Sequence, residues 1–211
     1  MRIAFLPSTD PFENAAAEER LFRERPFPEE PQLLFYTNRE CVQCGRNQYP
    51  PAECAVTWCE THGIPIIKRI SGGGTVFHDA GNQNYAFLLP RRIYDTDAVL
   101  SMVVATLHRI GVTDARYCQR FSVWHGDFKI SGSAFALSGP AALIHGCLPF
   151  TTNLERLHRA LTPECERDET SHSVASVVSP VANIADLVPS PDNCRERFCA
   201  ILAEMAEAHF G

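Results

Sequence analysis

Three consecutive glycines at residues 72–74 lie between two short apolar runs, residues 64–67 and 75–77, that are typical of strands. Glycine contributes no side chain to a sheet and loses more backbone entropy on folding than other residues, so a triplet in such a region needs a reason. The usual reason is that a ligand approaches the main chain closely. Lys68 and Arg69 stand beside this gap, which indicates that the ligand is an anion.

The use of lysine points to the same place. Of 19 basic residues, only Lys68 and Lys129 are lysines. Lys68 begins the glycine segment, and Lys129 begins a second run of small residues, 131–134. A compact ammonium is not interchangeable with a guanidinium, so we expect the two lysines to mark positions that need a point charge. A preference for arginine throughout the genome would also account for the count.

Length and charge limit the number of domains and the kinds of partner that this protein can have. A chain of 211 residues fits one domain with a sizeable core, and we expect residues 1–211 to form a single unit. The formal net charge of −6, without a Lys/Arg-rich block, disfavours nucleic acid as a partner. No apolar stretch is long enough to cross a bilayer, and the N-terminus lacks the apolar core of a secretory signal, so we expect no membrane partner.

Nine cysteines show no disulfide framework, which favours a reducing, cytoplasmic location. Cys41 and Cys44 lie three apart on a predicted strand and would point to opposite faces, so they make a poor metal site. Cys54 and Cys59 are five apart on a predicted helix, which also separates them. We interpret most of these thiols as small buried hydrophobes, and the sequence assigns no metal site.

Hydrophobic periodicity predicts a mixed sheet with helices grouped around it. Predicted helices cover residues 12–24, 52–62, 95–110, 153–161 and a last segment capped at 190–191. Predicted strands cover residues 32–37, 41–44, 65–70, 75–78, 84–89, 121–124, 128–131, 134–137 and 142–148, the first two paired through a turn at Asn38. Residues 25–31 and 164–191 are typical of irregular structure. Strands and helices do not alternate regularly, so the pattern favours an α+β fold over a doubly wound parallel sheet.

The order of the motifs resembles the lipoate–protein ligase A family, whose catalytic domain has the biotin/lipoate ligase fold and is related to class II synthetases. The matching segments are NAAAEERLF at 14–22, FYTN at 35–38, GRNQ at 45–48 with EC at 53–54, RISGGG at 69–74, HD at 78–79, GNQN at 81–84, KISGSA at 129–134 and HG at 145–146. One glycine triplet alone is weak evidence of a family. Ordered segments over most of the chain are specific.

The resemblance implies a fold, a reaction and partners. The fold is a mixed, mostly antiparallel sheet flanked by helices. The reaction activates lipoate with ATP and Mg²⁺ to lipoyl-adenylate and then transfers the lipoyl group to a lysine of a lipoyl domain, as in 2-oxoacid dehydrogenase E2 or the glycine-cleavage H protein. The chain leaves no room for the C-terminal accessory domain of many full-length ligases, so a separate accessory protein is a further expected partner.

The resemblance also implies the site. Lys129 is the expected catalytic cation, which contacts the carboxylate first and the phosphate as the anhydride forms. Residues expected to bind ATP and lipoyl-adenylate are Arg69, Ser71, Gly72, Gly73, Gly74, Thr75, Val76, Phe77 and Lys129. Residues expected to line the lipoyl pocket are Ser131, Gly132, Ser133, Ala134 and His145, with His78, Asn82 and Cys118 as further candidates. Arg69 would fork onto phosphate oxygens, whereas Asp79, Asn82 and Asn84 would rather fix loops.

Departures from the family pattern keep other functions open. Phe121-Ser122 replaces an Asn-Asp pair, and Ala175 replaces the Arg of a Ser-Val-Arg-Ser motif. A carboxylate near the metal would then be missing. One alternative is an octanoyl or lipoyl transferase that needs no ATP and holds the acyl chain on a cysteine. Cys118 is its first candidate, and two further thiols, Cys147 and Cys165, lie near motif positions. Another alternative is a binder of lipoate or lipoyl domains that does not catalyse.

Overall fold

A computed structural model describes residues 1–118, 120–166, 173–188, 190 and 194–211. Within these ranges the strands are β1 Arg2–Phe5, β2 Gln32–Tyr36, β3 Cys41–Cys44, β4 Ile66–Lys68, β5 Val76–His78, β6 Asn82–Pro90, β7 Ala115–Tyr117, β8 Ser122–His125, β9 Phe128–Ser138 and β10 Ala141–Pro149. The helices are α1 Pro11–Arg23, α2 Val56–Thr61, α3 Thr96–Ile110, α4 Leu154–Ala160 and α5 Cys194–Phe210. Short 3-10 turns cover Pro50–Ala52, Arg91–Ile93 and Ile184–Asp186.

Two sheets organise the chain. The larger has seven strands in the order β1-β2-β6-β10-β9-β8-β7, and every neighbouring pair in it is antiparallel except β1 with β2. The smaller has the order β4-β3-β5, with a parallel and an antiparallel pair. The expected mixed, mostly antiparallel sheet with helices is confirmed.

Helix α3 follows the sequence prediction closely. The Asp95 side chain accepts a hydrogen bond from the Ala98 amide at 3.0 Å and caps its N-terminus. Gly111 ends it with φ 114°, a left-handed conformation that glycine adopts without strain. Val99 and Val103 lie on its buried face, which packs with α5 on the main hydrophobic core of the large sheet.

Helix α1 covers the other side of the large sheet. Asp10 caps it by accepting hydrogen bonds from the amides of Phe12 and Glu13. Phe22 packs into a second apolar cluster with residues of β2, β6 and β10. The buried face of α1 also carries two polar residues, Asn14 and Glu18. Buried polar groups need partners, and both find theirs beside the candidate site described below.

The small sheet forms a third apolar cluster with α2 and α4. This cluster brings together Cys44, Cys54 and Cys59, so the expectation that spacing separates Cys54 from Cys59 was wrong: Cys54 lies outside the helix. The prediction for most thiols is confirmed, because six of the nine cysteines are buried. No group of three possible metal ligands occurs among the described residues.

Several element predictions were wrong in detail. Strands β1 and β7 were not predicted, since each is short and has exposed positions. Strands β2 and β3 belong to different sheets. Asn38 lies in the connection between β2 and β3, and its buried side chain forms hydrogen bonds with Asn14 and His78. The chain therefore passes from the large sheet to the small sheet at the position where a turn was expected. The predicted strands at 128–131 and 134–137 form one strand, β9, because small residues at 132–133 continue the ladder.

The remaining differences concern helices and loops. The predicted helix at 52–62 is shorter, as α2 preceded by a 3-10 turn. In the predicted irregular region 164–191, the described part contains one 3-10 turn and a single bridge between Lys129 and Val181. The predicted cap at 190–191 extends beyond the described residues. None of the described helices is both long and apolar enough to span a membrane.

Candidate active site

A groove with two lobes lies over strands β5, β6, β9 and β10. The larger lobe has a volume of about 410 Å³ and the smaller lobe about 230 Å³. Thr75 and Val76 line both lobes, and so do three residues of the long strands β9 and β10, namely Lys129, Gly132 and Cys147. We call these three the waist. The segment 176–179 also borders both lobes.

The strands cross the groove in a consistent direction. On β6, Asn82 lines the smaller lobe and Asn84 the larger. On β10, Pro149 lines the smaller and His145 the larger, and β9 passes from Ser131 to Ala134 in the same way. Strand β5 turns Phe77 toward the smaller lobe and His78 toward the larger, as alternation along a strand requires. The groove therefore suits an elongated ligand with two chemically different parts.

Lys129 is held at the waist by its main chain. Its amide donates to the Pro180 carbonyl at 2.8 Å, and it forms a bridge with Val181. A Cβ built on Gly132 would lie 3.3 Å from Lys129 Nζ, so the lysine side chain lies directly against that glycine. A Cβ at position 132 would require the end of the Lys129 side chain to shift by a few tenths of an ångström.

The Lys129 side chain is a partly buried cation without a counter-ion among the described residues. It forms no hydrogen bond or ion pair with the residues that the structure describes. Burial lowers its pKa, the thiols of Cys147 and Cys118 act in the opposite direction, and the charge of Arg69 lowers it further. Desolvation without a counter-ion is costly, so this position favours the binding of an anion.

Most N–H groups of Arg69 are bonded within the protein. Its Nε donates to Ser71 Oγ at 3.0 Å, Nη1 donates to the Gln43 carbonyl at 2.9 Å, and Nη2 donates to the carbonyls of Gly72 and Gly74 at 2.6 and 2.7 Å. Four of its five N–H donors are thus used within the protein, and burial lowers its pKa. The bidentate phosphate contact expected for Arg69 is not available in this conformation. The guanidinium instead holds the main chain of Gly72, Gly73 and Gly74 from the inside of its bend. We call residues 72–74 the glycine bend.

The glycine bend depends on conformation and close packing. Gly73 has φ 86°, which side chains rarely adopt. A Cβ on Gly45 would lie 2.1 Å from the Gly73 carbonyl oxygen, whereas a Cβ on Gly72 would meet nothing within 4 Å. The amide groups of Gly73 and Gly74 donate no hydrogen bond to the described residues. Both glycines line the larger lobe, where such amides can bind an anion.

A strap at residues 174–179 closes over this bend. Ser176 Oγ accepts from the Thr75 amide at 2.8 Å and from Gln48 Nε2 at 2.9 Å. The Ser176 amide and Gln48 Nε2 both donate to Glu53 Oε2. These bonds join three distant parts of the sequence, around residues 48–53, 75 and 176. Of the described residues, Glu53 alone brings a carboxylate to either lobe.

A buried network connects Arg69 to α1. His145 Nδ1 lies 2.8 Å from Glu18 Oε1, and Tyr36 OH donates to Glu18 Oε2 at 3.1 Å. His145 Nε2 lies 2.6 Å from Ser71 Oγ. The order serine, histidine, carboxylate is that of a hydrolytic triad. However, Ser71 is 1% exposed and lines neither lobe, so the network positions Arg69 and the bend and offers no nucleophile.

A second network surrounds His78. Asn14 Nδ2 donates to Asn38 Oδ1 at 2.8 Å, which turns Asn38 Nδ2 toward His78 Nδ1 at 3.1 Å. Burial lowers the pKa of His78 to about 3, and the charges of Arg69 and His145 act in the same direction. The ring is therefore neutral, and its second nitrogen, Nε2, is buried without a partner among the described residues.

Most residues predicted from the sequence meet at this groove. Those that line one or both lobes are Arg69, Gly73, Gly74, Thr75, Val76, Phe77, His78, Asn82, Cys118, Lys129, Ser131, Gly132, Ser133, Ala134 and His145. Ser71 and Gly72 line neither. Lys68 is exposed and lines neither lobe, so of the two lysines only Lys129 lies at the groove. Asp79 fixes a loop as predicted, through the amides of Gly81 and Asn153.

Sequence reasoning missed part of the lining. Tyr36, Gln43, Arg120, Trp124 and the strap border the larger lobe. Tyr36 stands inside the FYTN segment, so that motif was a signal. Cys147 was considered only as a nucleophile, yet burial raises its pKa. Of the other proposed thiols, Cys118 lines the larger lobe, whereas Cys165 is exposed and lines neither.

The unusual Phe121-Ser122 pair lies at the edge of the larger lobe. Phe121 has φ 57°, which is uncommon for a bulky residue, and its ring packs edge-on against Phe135 with centroids 5.2 Å apart. Ser122 lines the lobe. The lining residues do not form a carboxylate cluster for Mg²⁺, so we derive no step through a metal held by the protein.

Comparisons with known proteins agree on one family. The model of the family described as "Lipoyl protein ligase A/B catalytic domain" matches residues 10–206. A bipartite lipoate protein ligase from Thermoplasma acidophilum, studied with its E2 lipoyl domain, is 27% identical over 98% of this chain and 83% of that chain, with a TM-score of 0.81. A T. acidophilum protein solved with bound lipoic acid is 25% identical over 98% and 86%, with a TM-score of 0.81. A lipoate-protein ligase A bound with ATP is 25% identical over 98% and 85%, with a TM-score of 0.80.

Proposed function

This chain belongs to the lipoyl protein ligase A/B catalytic domain family and has the biotin/lipoate ligase catalytic fold, and on that premise we propose that it is a lipoate–protein ligase. It activates lipoate with ATP to lipoyl-adenylate and transfers the lipoyl group to a lysine of a lipoyl domain. Residues 1–211 act as one catalytic unit in this proposal. The similar T. acidophilum ligase is bipartite, and a separate accessory protein is a further partner in this proposal.

The observation that carries the proposal is the unpaired Lys129 ammonium at the waist. In the first step a carboxylate oxygen attacks the α-phosphorus of ATP, and pyrophosphate leaves. Two anions must approach each other, and a fixed cation between the lobes offsets their repulsion. The amides of Gly73 and Gly74, which donate to no described residue, supply further dipoles for the phosphate.

The two lobes divide the adenylate between them. The smaller lobe has apolar walls from Phe77, Leu157 and Leu161, with the amide of Asn82, which suits a flat base that needs few polar contacts. The larger lobe receives the acyl chain over Ser133 and Ala134. The mixed anhydride then lies at the waist, within reach of Lys129.

The second step needs no residue of this chain as a nucleophile. The amine of the acceptor lysine attacks the acyl carbon of the anhydride, and AMP leaves. The similar T. acidophilum ligase was studied with an E2 lipoyl domain, and a lipoyl domain is the acceptor that we propose here. The glycine-cleavage H protein is the other acceptor of this class.

The test uses the two lysines of the chain as a matched pair. We expect Lys129→Ala to slow lipoylation about a hundredfold to a thousandfold, equivalent to roughly 2.7–4 kcal/mol. Lys68→Ala removes an exposed ammonium outside the groove and should leave the rate unchanged. Mass spectrometry of an apo lipoyl domain incubated with ATP and lipoate measures both. Equal rates for the two variants would refute the role of Lys129.

A transferase that uses Cys118 is the second candidate, because that thiol lines the same lobe as Lys129. In that reaction the thiolate attacks the donor thioester, the carrier thiol leaves, and the acyl group passes to the acceptor lysine. Product formation from an octanoyl carrier protein without ATP, lost in Cys118→Ser, would favour this function. Product that requires ATP and survives Cys118→Ser would favour the ligase.

A further inference from the structure

The Gln48 side chain is a buried amide whose two ends are both engaged. It is 2% exposed and lines neither lobe of the groove. Its Oε1 accepts hydrogen bonds from the Gly45 amide and from Thr75 Oγ1, each at 2.8 Å. Its Nε2 donates to Glu53 Oε2 at 2.8 Å and to Ser176 Oγ at 2.9 Å. A flipped amide would direct N–H groups at the Gly45 amide, so these neighbours fix its orientation.

The strap spans the groove between two attachments. At the first, the Val174 carbonyl accepts from Gln48 Nε2 at 3.3 Å. At the second, directly after the strap, the Lys129 amide donates to the Pro180 carbonyl at 2.8 Å. Between these attachments, the hydrogen bonds of residues 177–179 to described residues stay within the strap. The amide of Gln48 and the main chain of Lys129 therefore hold opposite ends of the strap.

Gln48 sets how the strap lies against the chain that leaves the glycine bend. Thr75 follows the bend directly and lines both lobes, and Ser176 of the strap also lines both lobes. The Thr75 amide donates to Ser176 Oγ at 2.8 Å, so the three side chains form one connected group. An uncharged residue outside the groove thus fixes two segments that border the place where the lobes meet.

We propose that Gln48 is a positioning residue for the activation of the acid. Its amide accepts on the side of the glycine bend and donates on the side of the strap, and it holds both in the geometry in which carboxylate and phosphate react. This inference rests on the proposed function, which places the anhydride at the waist. Gln48 touches no ligand in this arrangement. Its contribution is geometric, because a displacement of about 1 Å in a site can slow a reaction about a hundredfold.

Gln48→Glu tests the donor end of the amide. The variant keeps the shape of the side chain and an oxygen for Gly45 and Thr75, but it directs a second oxygen at Glu53 Oε2. Two carboxylates at this distance repel each other, so the strap should separate from the bend. We expect kcat for the lipoate-dependent exchange of pyrophosphate into ATP to fall about tenfold to a hundredfold, and the KM for lipoate to stay within about twofold.

Gln32→Glu is the matched control. Gln32 is 5% exposed at the start of β2 and lines neither lobe, so its replacement should leave both constants unchanged. With an active wild type, an unchanged kcat in Gln48→Glu, a rise in KM alone, or an equal loss of kcat in both variants would overturn the inference and leave the proposed function intact. A wild-type protein without lipoate-dependent exchange would overturn both.

An exchange of the two polar groups provides a rescue. In the double variant Gln48→Glu/Glu53→Gln, the carboxylate at position 48 can accept from the amide at position 53, and the number of carboxylates equals that of the wild type. We expect kcat to be several-fold higher than in Gln48→Glu, which a purely additive loss would not give. A double variant as slow as Gln48→Glu, or slower, would contradict positioning through this contact.

Hydrogen exchange reports on the strap without reference to activity. The Thr75 amide donates to Ser176 Oγ, and the Ser176 amide donates to Glu53 Oε2. Both amides should be protected in the wild type, and both should exchange faster in Gln48→Glu but not in Gln32→Glu. Unprotected amides in the wild type would overturn the inference even if Gln48→Glu does not fold.

Discussion

Ser71 Oγ and His145 Nε2 lie 2.6 Å apart although 74 positions separate them in the sequence. This contact ties the glycine bend beside the small sheet to strand β10 of the large sheet. On one side Ser71 accepts from Arg69 Nε, and on the other His145 binds Glu18 of α1. The bend thus depends on α1, which lines neither lobe of the groove.

The Glu18 carboxylate should be important for stability. Glu18→Ala would leave the Tyr36 hydroxyl and His145 Nδ1 buried without a partner, so we expect a loss of about 2–4 kcal/mol in the free energy of unfolding. Glu19→Ala, which removes an exposed ion pair with Arg23, should change it by less than about 0.5 kcal/mol. Urea unfolding monitored by circular dichroism measures both variants. Similar small losses would show that the buried network contributes little.

The glycines should differ sharply in their tolerance of alanine. A Cβ at Gly45 would lie 2.1 Å from the Gly73 carbonyl oxygen, a main-chain atom. Gly45→Ala must displace the bend, and we expect a loss of about 1–3 kcal/mol together with weaker ATP binding. Gly72→Ala meets no atom within 4 Å and serves as the control. Unfolding curves and ATP titrations of the two variants test this, and an equal effect of both would contradict it.

The Lys129 ammonium should cost stability while serving the reaction. Burial lowers the pKa of Lys129 in the folded chain below the ordinary 10.5. Between the folded and the ordinary pKa, the unfolded chain therefore binds more protons than the folded chain. The free energy of unfolding of the wild type rises with pH over that interval. We expect Lys129→Met to slow lipoylation about a hundredfold to a thousandfold, as Lys129→Ala does, and to raise the free energy of unfolding by about 1 kcal/mol at neutral pH. The gain should shrink as the pH approaches 10.5. Denaturant unfolding at several pH values is the measurement, and a destabilised variant would argue against an isolated cation.

His78 should contribute to acid denaturation. Burial lowers its pKa from 6.5 to about 3, so the unfolded chain takes up a proton in this window that the folded chain does not. The free energy of unfolding therefore falls as the pH drops from about 6.5 toward about 3. We expect His78→Gln to make this fall less steep, and exposed His158→Gln to leave its slope unchanged. The measurement is the urea midpoint at several pH values between about 3 and about 6.5. If the midpoint falls with pH equally steeply in wild type and His78→Gln, His78 does not contribute to acid denaturation.

Local patterns were sufficient for much of the fold. The caps and apolar spacing of α3 are properties of adjacent residues, so its ends could be predicted closely. The partition between the two sheets could not, because Asn38 is directed by Asn14 and His78, which are distant in the sequence. The prediction divided β9 into two strands because its small residues have no strong preference for strands. In the structure these residues belong to the strand because they pair with β10.

The candidate site shows the same division. Motifs were sufficient to place Lys129 and the glycine triplet at one groove, since each is a contiguous segment with a recognisable composition. The carbonyl partners of Arg69 could not be predicted, because a charge beside glycines indicates an anion site until the groups that surround it are known. Tyr36 and the strap were not assigned to the groove, although the FYTN and Ser-Val-Arg-Ser motifs cover Tyr36 and part of the strap. A motif marks a segment without showing which of its side chains reach the groove.

By itself, the sequence determined the fold class, the family motifs and the small residues that leave a groove open, because these depend on local composition and period. Only the tertiary structure decided which charges remain unpaired inside that groove. Arg69 is surrounded by carbonyl acceptors, whereas Lys129 and His78 Nε2–H meet no acceptor among the described residues. The hydrogen-bonding groups of a side chain are satisfied by residues that are close in space, and only the folded structure shows which residues those are.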